Sequence, residues 1–389
     1  MLDFTYYAPT KVFFGKGKHK AVGEIIRSYG FKKIMMMYGK GSIKKSGLYD
    51  DVIESLNVAE ISVVEVGGVD PNPNLNFVKK AVEIARETQV EMILAVGGGS
   101  VIDAAKFTAA GTYYHGDPWD FPTRKATPEK ALPVATILTI AAAGSEMSSS
   151  AGITNQELNM KRGFNSELNR CLFSICNPEL TYTLPPYQTA CGIVDMMAHT
   201  MERYFTLCDD TLLTDSIAES ILKSVINAGK VLINDPENYE ARATVMWASS
   251  LAHNDLTGCG RENFLAVHQL EHALSGEDES IAHGAGLAVL FPAWGRYMYK
   301  ANVNRFAGFA RNVWSVTESD DEKAALLGVE AMADFFKSLD MPSTLREFGI
   351  KKEEIPRLCE LCTFAKSRTI KSYIEMDYDV IREIFESCY

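Results

Sequence analysis

The segment Cys191–Thr200, CGIVDMMAHT, sets Asp195 and His199 among Ile193, Val194, Met196, Met197 and Ala198. A carboxylate in apolar company is costly unless it is paired, hydrogen-bonded or bound to a metal. The four-residue spacing puts both side chains on one helical face, one turn apart, so both aim at one place. A second segment, Val267–Gly286 (VHQLEHALSGEDESIAHGAG), carries three of the chain's seven histidines. His268 and His272 are one turn apart on a predicted helix, and His283 opens the next one, before Gly284 and Gly286. Imidazoles joined by a buried carboxylate suit Zn²⁺, Fe²⁺ or Mn²⁺, and one carboxylate with three imidazoles leaves a position for a substrate oxygen. The alternative is a buried Asp–His ion pair with unrelated histidines nearby. On the metal reading, Asp195 and His199 are two ligands of a catalytic divalent ion.

A second chemical feature is the run Glu91–Lys106, EMILAVGGGSVIDAAK, which reads as a strand, a triple-glycine turn and a helix. Gly97, Gly98 and Gly99 free the backbone of Cβ atoms where a phosphate must come close. Ser100 is expected to cap the helix, with Asp103 three residues on in a capping box. The helix N-terminus then favours an anion. The run is neither a Walker loop nor GxGxxG, and a tight strand-to-helix connection is the alternative. Upstream, Tyr38–Ser42 also follows a strand candidate and offers Gly39, Lys40, Gly41 and Ser42, with Lys44 and Lys45 beyond. Space plus positive charge suits a ribose 2′-phosphate better than a bare diol, which favours NADP(H) over NAD(H).

These groups need rigid elements behind them. In the first half, strand candidates at 33–38, 61–66, 91–96 and 132–137 alternate with helical patterns at 49–56 and 77–86. The rhythm predicts a doubly wound α/β domain with a mostly parallel sheet. After Leu184-Pro185-Pro186 the patterns are helical throughout. The expected division is therefore an α/β dinucleotide-binding domain over 1–185 and an all-helical, metal-binding catalytic domain over 186–389.

With 389 residues the chain is long enough for two cores, and its 47% hydrophobic and 23% charged content is ordinary for a soluble globular protein. A net charge of −11 argues against nucleic acid as a partner. The N-terminus has neither a basic start nor an apolar run, and no stretch is long enough to span a bilayer. Eight scattered cysteines fit reduced thiols, so a cytoplasmic location and no membrane association are expected. Cys359 and Cys362 form a single CxxC with no second ligand pair and are assigned no role.

The chain resembles the iron-containing (group III) alcohol dehydrogenases, most of all their NADP-dependent butanol dehydrogenase and aldehyde reductase branch. The likeness runs from Pro9–Gly15 (PTKVFFG) through GGGSVIDAAK and Gly144-Ser145-Glu146 to both histidine segments. It implies a dehydroquinate synthase-like fold, a small alcohol or aldehyde as substrate, and a homodimer. It implies that Asp195, His199, His268 and His283 bind the metal, Fe²⁺ first and Zn²⁺ or Mn²⁺ as alternatives. It places His272 beside the metal without ligating it, near the nicotinamide, as a proton relay. Gly97 to Ser100 would hold the pyrophosphate, with Thr139, Lys161 and Leu180 also at the cofactor, and Gly39 stands where NAD-preferring members carry an acidic residue. Two residues depart from the family pattern, Ala143 for threonine and Asn177 for aspartate. A dehydroquinate synthase-like or glycerol dehydrogenase-like enzyme is the alternative activity.

Overall fold

The computed structural model describes residues 1–158 and 160–389. Its strands are β1 (Lys11–Phe14), β2 (Lys33–Gly39), β3 (Ser62–Val69), β4 (Met92–Gly97), β5 (Val134–Leu138), β6 (Ser150–Asn155), β7 (Met160–Asn165) and β8 (Phe173–Cys176). Six of them make one parallel sheet in the order β1-β8-β5-β4-β2-β3. Every residue of β4 is buried, as a near-continuous apolar run in the middle of a parallel sheet requires.

The strand order reverses between β2 and β4. The chain leaves β2 outward to β3, whereas β4 is followed by β5 on its other side. Ligands of such sheets bind beyond the carboxyl ends at this switch point. The register makes those ends level: Tyr38 lies opposite Val96, and Gly97 opposite Leu138. Gly39, Gly97 and Thr139 therefore leave the sheet along one edge, with the Thr139 N–H donating to the Gly97 carbonyl at 3.1 Å.

Two features were not expected from the sequence. β6 and β7 form a separate antiparallel hairpin, and the short strands β1 and β8 extend the sheet. The division into units is also more interleaved than a single cut. One compact unit comprises Met1–Tyr6, Pro185–Pro236 and Leu251–Tyr389; the other comprises Tyr7–Leu184 and Glu237–Ser250. Residues 237–250, assigned from sequence to the helical domain, belong with the sheet because their helix (Tyr239–Ala252) is tied there. Trp247 meets Phe14 edge-on at 6.3 Å, Lys16 sits over the Tyr239 ring, and the Ser250 hydroxyl donates to Glu146.

In the helical unit, Pro186–Tyr204 starts with proline at its first position, where no N–H is required. Ala266–Glu277 and His283–Met298 follow later in the chain. An aromatic cluster ties the end of helix 186–204 to helix 283–298: Phe205 stacks on Phe306 at 4.4 Å and meets Trp294 at 5.5 Å. No helix among the described residues is long and apolar enough to cross a membrane. All eight cysteines are free thiols.

Candidate functional site

Three helices bring the predicted ligands together. Asp195 and His199 come from helix 186–204, His268 from helix 266–277, and His283 is the first residue of helix 283–298. Helices 186–204 and 283–298 meet backbone to backbone at Gly284, where a Cβ would lie only 2.2 Å from the Cys191 carbonyl oxygen. No other residue type allows that approach, which carries His283 to Asp195.

One oxygen, Asp195 Oδ1, faces three ring nitrogens. It lies 3.4 Å from His199 Nε2 and 3.7 Å from both His268 Nε2 and His283 Nε2. Ligand atoms about 2.1 Å from a tetrahedral ion stand about 3.4 Å apart, so these separations fit one cation between them. Asp195 Oδ1 and His268 Nε2 are buried and have no hydrogen-bond partner, the state expected of donors whose partner is a cation. The protonation states differ sharply. His199 is pushed well below its ordinary pKa by burial and then by the neighbouring His253 and His268. Burial pushes His268 down as well, but the facing carboxylates of Asp195 and Glu202 outweigh it and hold it at about 9.

Residues not singled out from the sequence complete the cluster. Glu202 Oε1 accepts from His268 Nδ1 at 3.1 Å, and Glu271 pairs with His283 Nδ1. His253 stacks on His199 with ring centroids 3.9 Å apart. The two glutamates had a legible signal, since each stands three residues after a ligand histidine in the spacing His-x-x-Glu (His199/Glu202 and His268/Glu271). His253 had none. His272 lies one turn beyond His268, with its ring centroid 5.7 Å from that of His283. Arg203 and Arg261, the cations nearest to these segments in sequence, both have partners: Arg203 donates to the His199 carbonyl, and Arg261 pairs with Asp215 at 2.9 Å. Neither is a ready anchor for a phosphorylated, carboxylated substrate.

The sheet-bearing unit holds the candidate cofactor turn. Gly98, not Ser100, is the N-cap of helix Gly99–Thr112, so the capping box expected from Ser100 and Asp103 does not form. The helix starts two residues earlier than that box requires. The Ser100 hydroxyl instead accepts the Asn72 N–H at 3.3 Å, and Asn72 Oδ1 accepts from Lys161 Nζ at 2.9 Å. Ser100 and Lys161 are thus linked through one residue. Asp103 turns inward to take the Ser145 hydroxyl and the Gly152 N–H. Beside it Lys106, fully buried, donates to the carbonyls of Ser145, Ser148 and Ser150. A Cβ at Gly98 would press on Ile140 at 3.0 Å, whereas at Gly99 it would reach only Ala143, at 4.0 Å.

At the neighbouring turn, Gly39 ends β2 and Gly41 (φ 139°) caps the short helix Ser42–Lys45. Its positive charge is partly committed: Lys40 pairs with Asp70 at 2.5 Å, and Lys44 lies over the Tyr38 and Tyr49 rings. Leu180 packs against the core of the sheet from the turn Pro178–Thr181. Asn177 caps that turn through its side-chain oxygen, as an aspartate would, by accepting the Glu179 N–H.

Comparison with known proteins places the whole chain in one family. Residues 9–178 match the iron-containing alcohol dehydrogenase family, and residues 189–389 match the C-terminal family of Fe-containing alcohol dehydrogenases. The chain is 41% identical to NADH-dependent butanol dehydrogenase A of Clostridium acetobutylicum, over the whole of both chains. It is 35% identical to the NADPH-dependent aldehyde reductase YqhD of Escherichia coli, again over both whole chains. Among solved structures, NADH-dependent butanol dehydrogenase A from Thermotoga maritima superposes with a TM-score of 0.96 at 39% identity, covering 100% of this chain and 99% of that one. The two-part fold, the facing donors on three helices and likeness along the full length lead to one conclusion: the chain belongs to the iron-containing alcohol dehydrogenase family.

Proposed function

We propose that the protein moves a hydride reversibly between a nicotinamide cofactor and a small primary alcohol or aldehyde, as a butanol dehydrogenase-like enzyme with one divalent metal ion. The observation that carries this reading is the single carboxylate oxygen Asp195 Oδ1, within 3.7 Å of ring nitrogens of His199, His268 and His283. These four residues are the proposed ligands. Family membership favours Fe²⁺, while Zn²⁺ and Mn²⁺ suit the same donors and Zn²⁺ outbinds Fe²⁺ at nitrogen and oxygen sites, so supply decides occupancy. When bound, the ion supplies Lewis acidity toward a carbonyl or alkoxide oxygen, and the nicotinamide gives or takes the hydride. His272 is the proposed proton relay, being one turn from His268 with its ring stacked on that of His283.

Gly97, Gly98, Gly99 and Ser100 take the pyrophosphate at the start of helix 99–112, with Thr139, Lys161 and Leu180 along the same cofactor. Gly39, Gly41 and Ser42 take the adenosine ribose. The more similar relatives, such as the 41% identical butanol dehydrogenase A, are named for NADH and the 35% identical YqhD for NADPH. The preference for NADP(H) therefore rests on the chemistry of this turn alone. Gly39 itself carries no carboxylate, and Asp70 beside this turn is paired with Lys40, so NADP(H) is the favoured cofactor and NAD(H) the alternative. A homodimer remains the proposed assembly.

The test is anaerobic reduction of butanal by Fe²⁺-loaded protein, followed by loss of reduced-nicotinamide absorbance with NADPH and, separately, NADH. Turnover with a higher kcat/KM for NADPH supports the whole reading. A higher value for NADH overturns the Gly39 argument alone. No turnover with either cofactor, across a panel of aldehydes, overturns the activity.

A further inference from the structure

We propose that Glu202 and Glu271 are the positioning residues of the metal centre, each fixing one ligand imidazole so that its Nε2 lone pair faces Asp195. The inference rests on the metal reading above. An ionised carboxylate only accepts, so a ring nitrogen bonded to it carries the proton and the opposite nitrogen is left as the donor to a cation. Glu202 lies on the same helix as Asp195 and His199, and its Oε1 meets His268 Nδ1 on helix 266–277. Glu271 lies on that helix and meets His283 Nδ1 on helix 283–298. Two of the three ligand-bearing helices, 186–204 and 266–277, thus supply the carboxylate that orients the histidine on the next.

Glu202 also secures the helix it reaches. Helix 266–277 begins after Leu265, which sits in the left-handed region (φ 50°) and gives no side-chain cap. Glu202 stands in, accepting the N–H groups of Ala266 at 2.8 Å and His268 at 2.9 Å. A carboxylate that served only as a cap would have no reason to share an oxygen with a ring nitrogen. For Glu271 the sheltering feature is Gly286, where a Cβ would lie 2.9 Å from Glu271 Cγ and 3.2 Å from its Oε1. The glycine keeps open the space that the carboxylate fills. Both glutamates are buried, Glu271 completely, and a buried charge is retained only where a partner needs it. His199 has no such carboxylate; its ring is held by stacking on His253.

The test uses the full chain with Glu202→Gln, Glu271→Gln and, to displace the second carboxylate without removing its charge, Gly286→Ala. Zn²⁺ affinity is read by chelator competition, Co²⁺ coordination by its visible ligand-field bands, and the thermal midpoint of the metal-free protein reports folding. The expected result is Zn²⁺ binding weakened about 10- to 100-fold in each glutamine variant, with shifted Co²⁺ bands and a smaller change in the same direction for Gly286→Ala. Metal-free Glu271→Gln should melt within a few degrees of the unchanged chain. Affinities within about twofold of the unchanged chain, or unshifted Co²⁺ bands with a lowered metal-free midpoint, would show a purely structural role and overturn the proposal. If the unchanged chain binds neither Zn²⁺ nor Co²⁺, or binds them as well after Asp195→Asn, the metal centre itself fails and this inference falls with it.

Discussion

At the scale of single residues, His268 and His272 stand one turn apart on one helix but have different proposed roles. His268 turns its Nε2 to Asp195, whereas the His272 ring, one turn on, lies against His283. Replacing His272 by alanine should therefore lower kcat by about 10²- to 10⁴-fold while metal content stays at its original level, checked by steady-state kinetics beside elemental analysis. Loss of metal in that variant would make His272 a ligand and displace one of the four proposed ligands. The convergence of these four side chains was legible in the sequence because a carboxylate and imidazoles at four-residue spacing stand out against apolar neighbours. Glu202 and Glu271 were passed over since a glutamate on a helix is ordinarily a solvated residue, and only the fold shows that both are buried. The Ser100–Asp103 capping box failed for a related reason. The spacing was right, but Asp103 has stronger claims on it inside, from Ser145 and Gly152.

At the scale of elements, close approach and stapling decide the geometry. Gly284→Ala would force a methyl group against the Cys191 carbonyl and push helices 186–204 and 283–298 apart. The expected cost is about 1–3 kcal/mol of stability in denaturant unfolding, with weaker metal binding because His283 moves with its helix. In the other unit, Lys106 ties helix 99–112 to the segment 145–150 through three carbonyls, and burial depresses its pKa. Lys106→Met leaves those carbonyls unsatisfied and should cost about 3 kcal/mol, read from the urea midpoint. Strands β2, β4 and β5 could be read from sequence because burial on both faces leaves continuous apolar runs. The β6–β7 hairpin could not: SAGITN and MKRGFN show neither such a run nor alternation, and β1 and β8 are only four residues each. Helix 239–252 was assigned to the wrong unit because periodicity identifies a helix but not the surface it packs on. Its partners, Phe14, Lys16 and Glu146, are far away in sequence.

At the scale of the whole molecule, stability should fall on the acid side for a traceable reason. The Glu91 carboxylate accepts the N–H groups of Lys32 and Lys33, and Glu347 accepts those of Ser343 and Thr344; both pKa values are lowered by these bonds. A folded pKa below the unfolded one means the stabilisation is complete above about pH 4.5 and disappears as pH falls through the folded value. The thermal midpoint should drop through that window, and Glu91→Gln should flatten the drop by lowering stability at neutral pH more than at pH 3. Metal should act in the opposite sense across the whole chain: at about 100 times its Kd, a ligand that binds only the folded state adds about 2.7 kcal/mol. The central claim is that turnover depends on an ion held by Asp195, His199, His268 and His283. It is tested most directly by stripping the protein with a chelator, returning Fe²⁺ in measured equivalents without oxygen, and following butanal reduction by NADPH beside bound metal. The account predicts negligible turnover in the stripped protein and a linear rise to a plateau at about one ion per chain. Undiminished turnover in the fully stripped protein would contradict it.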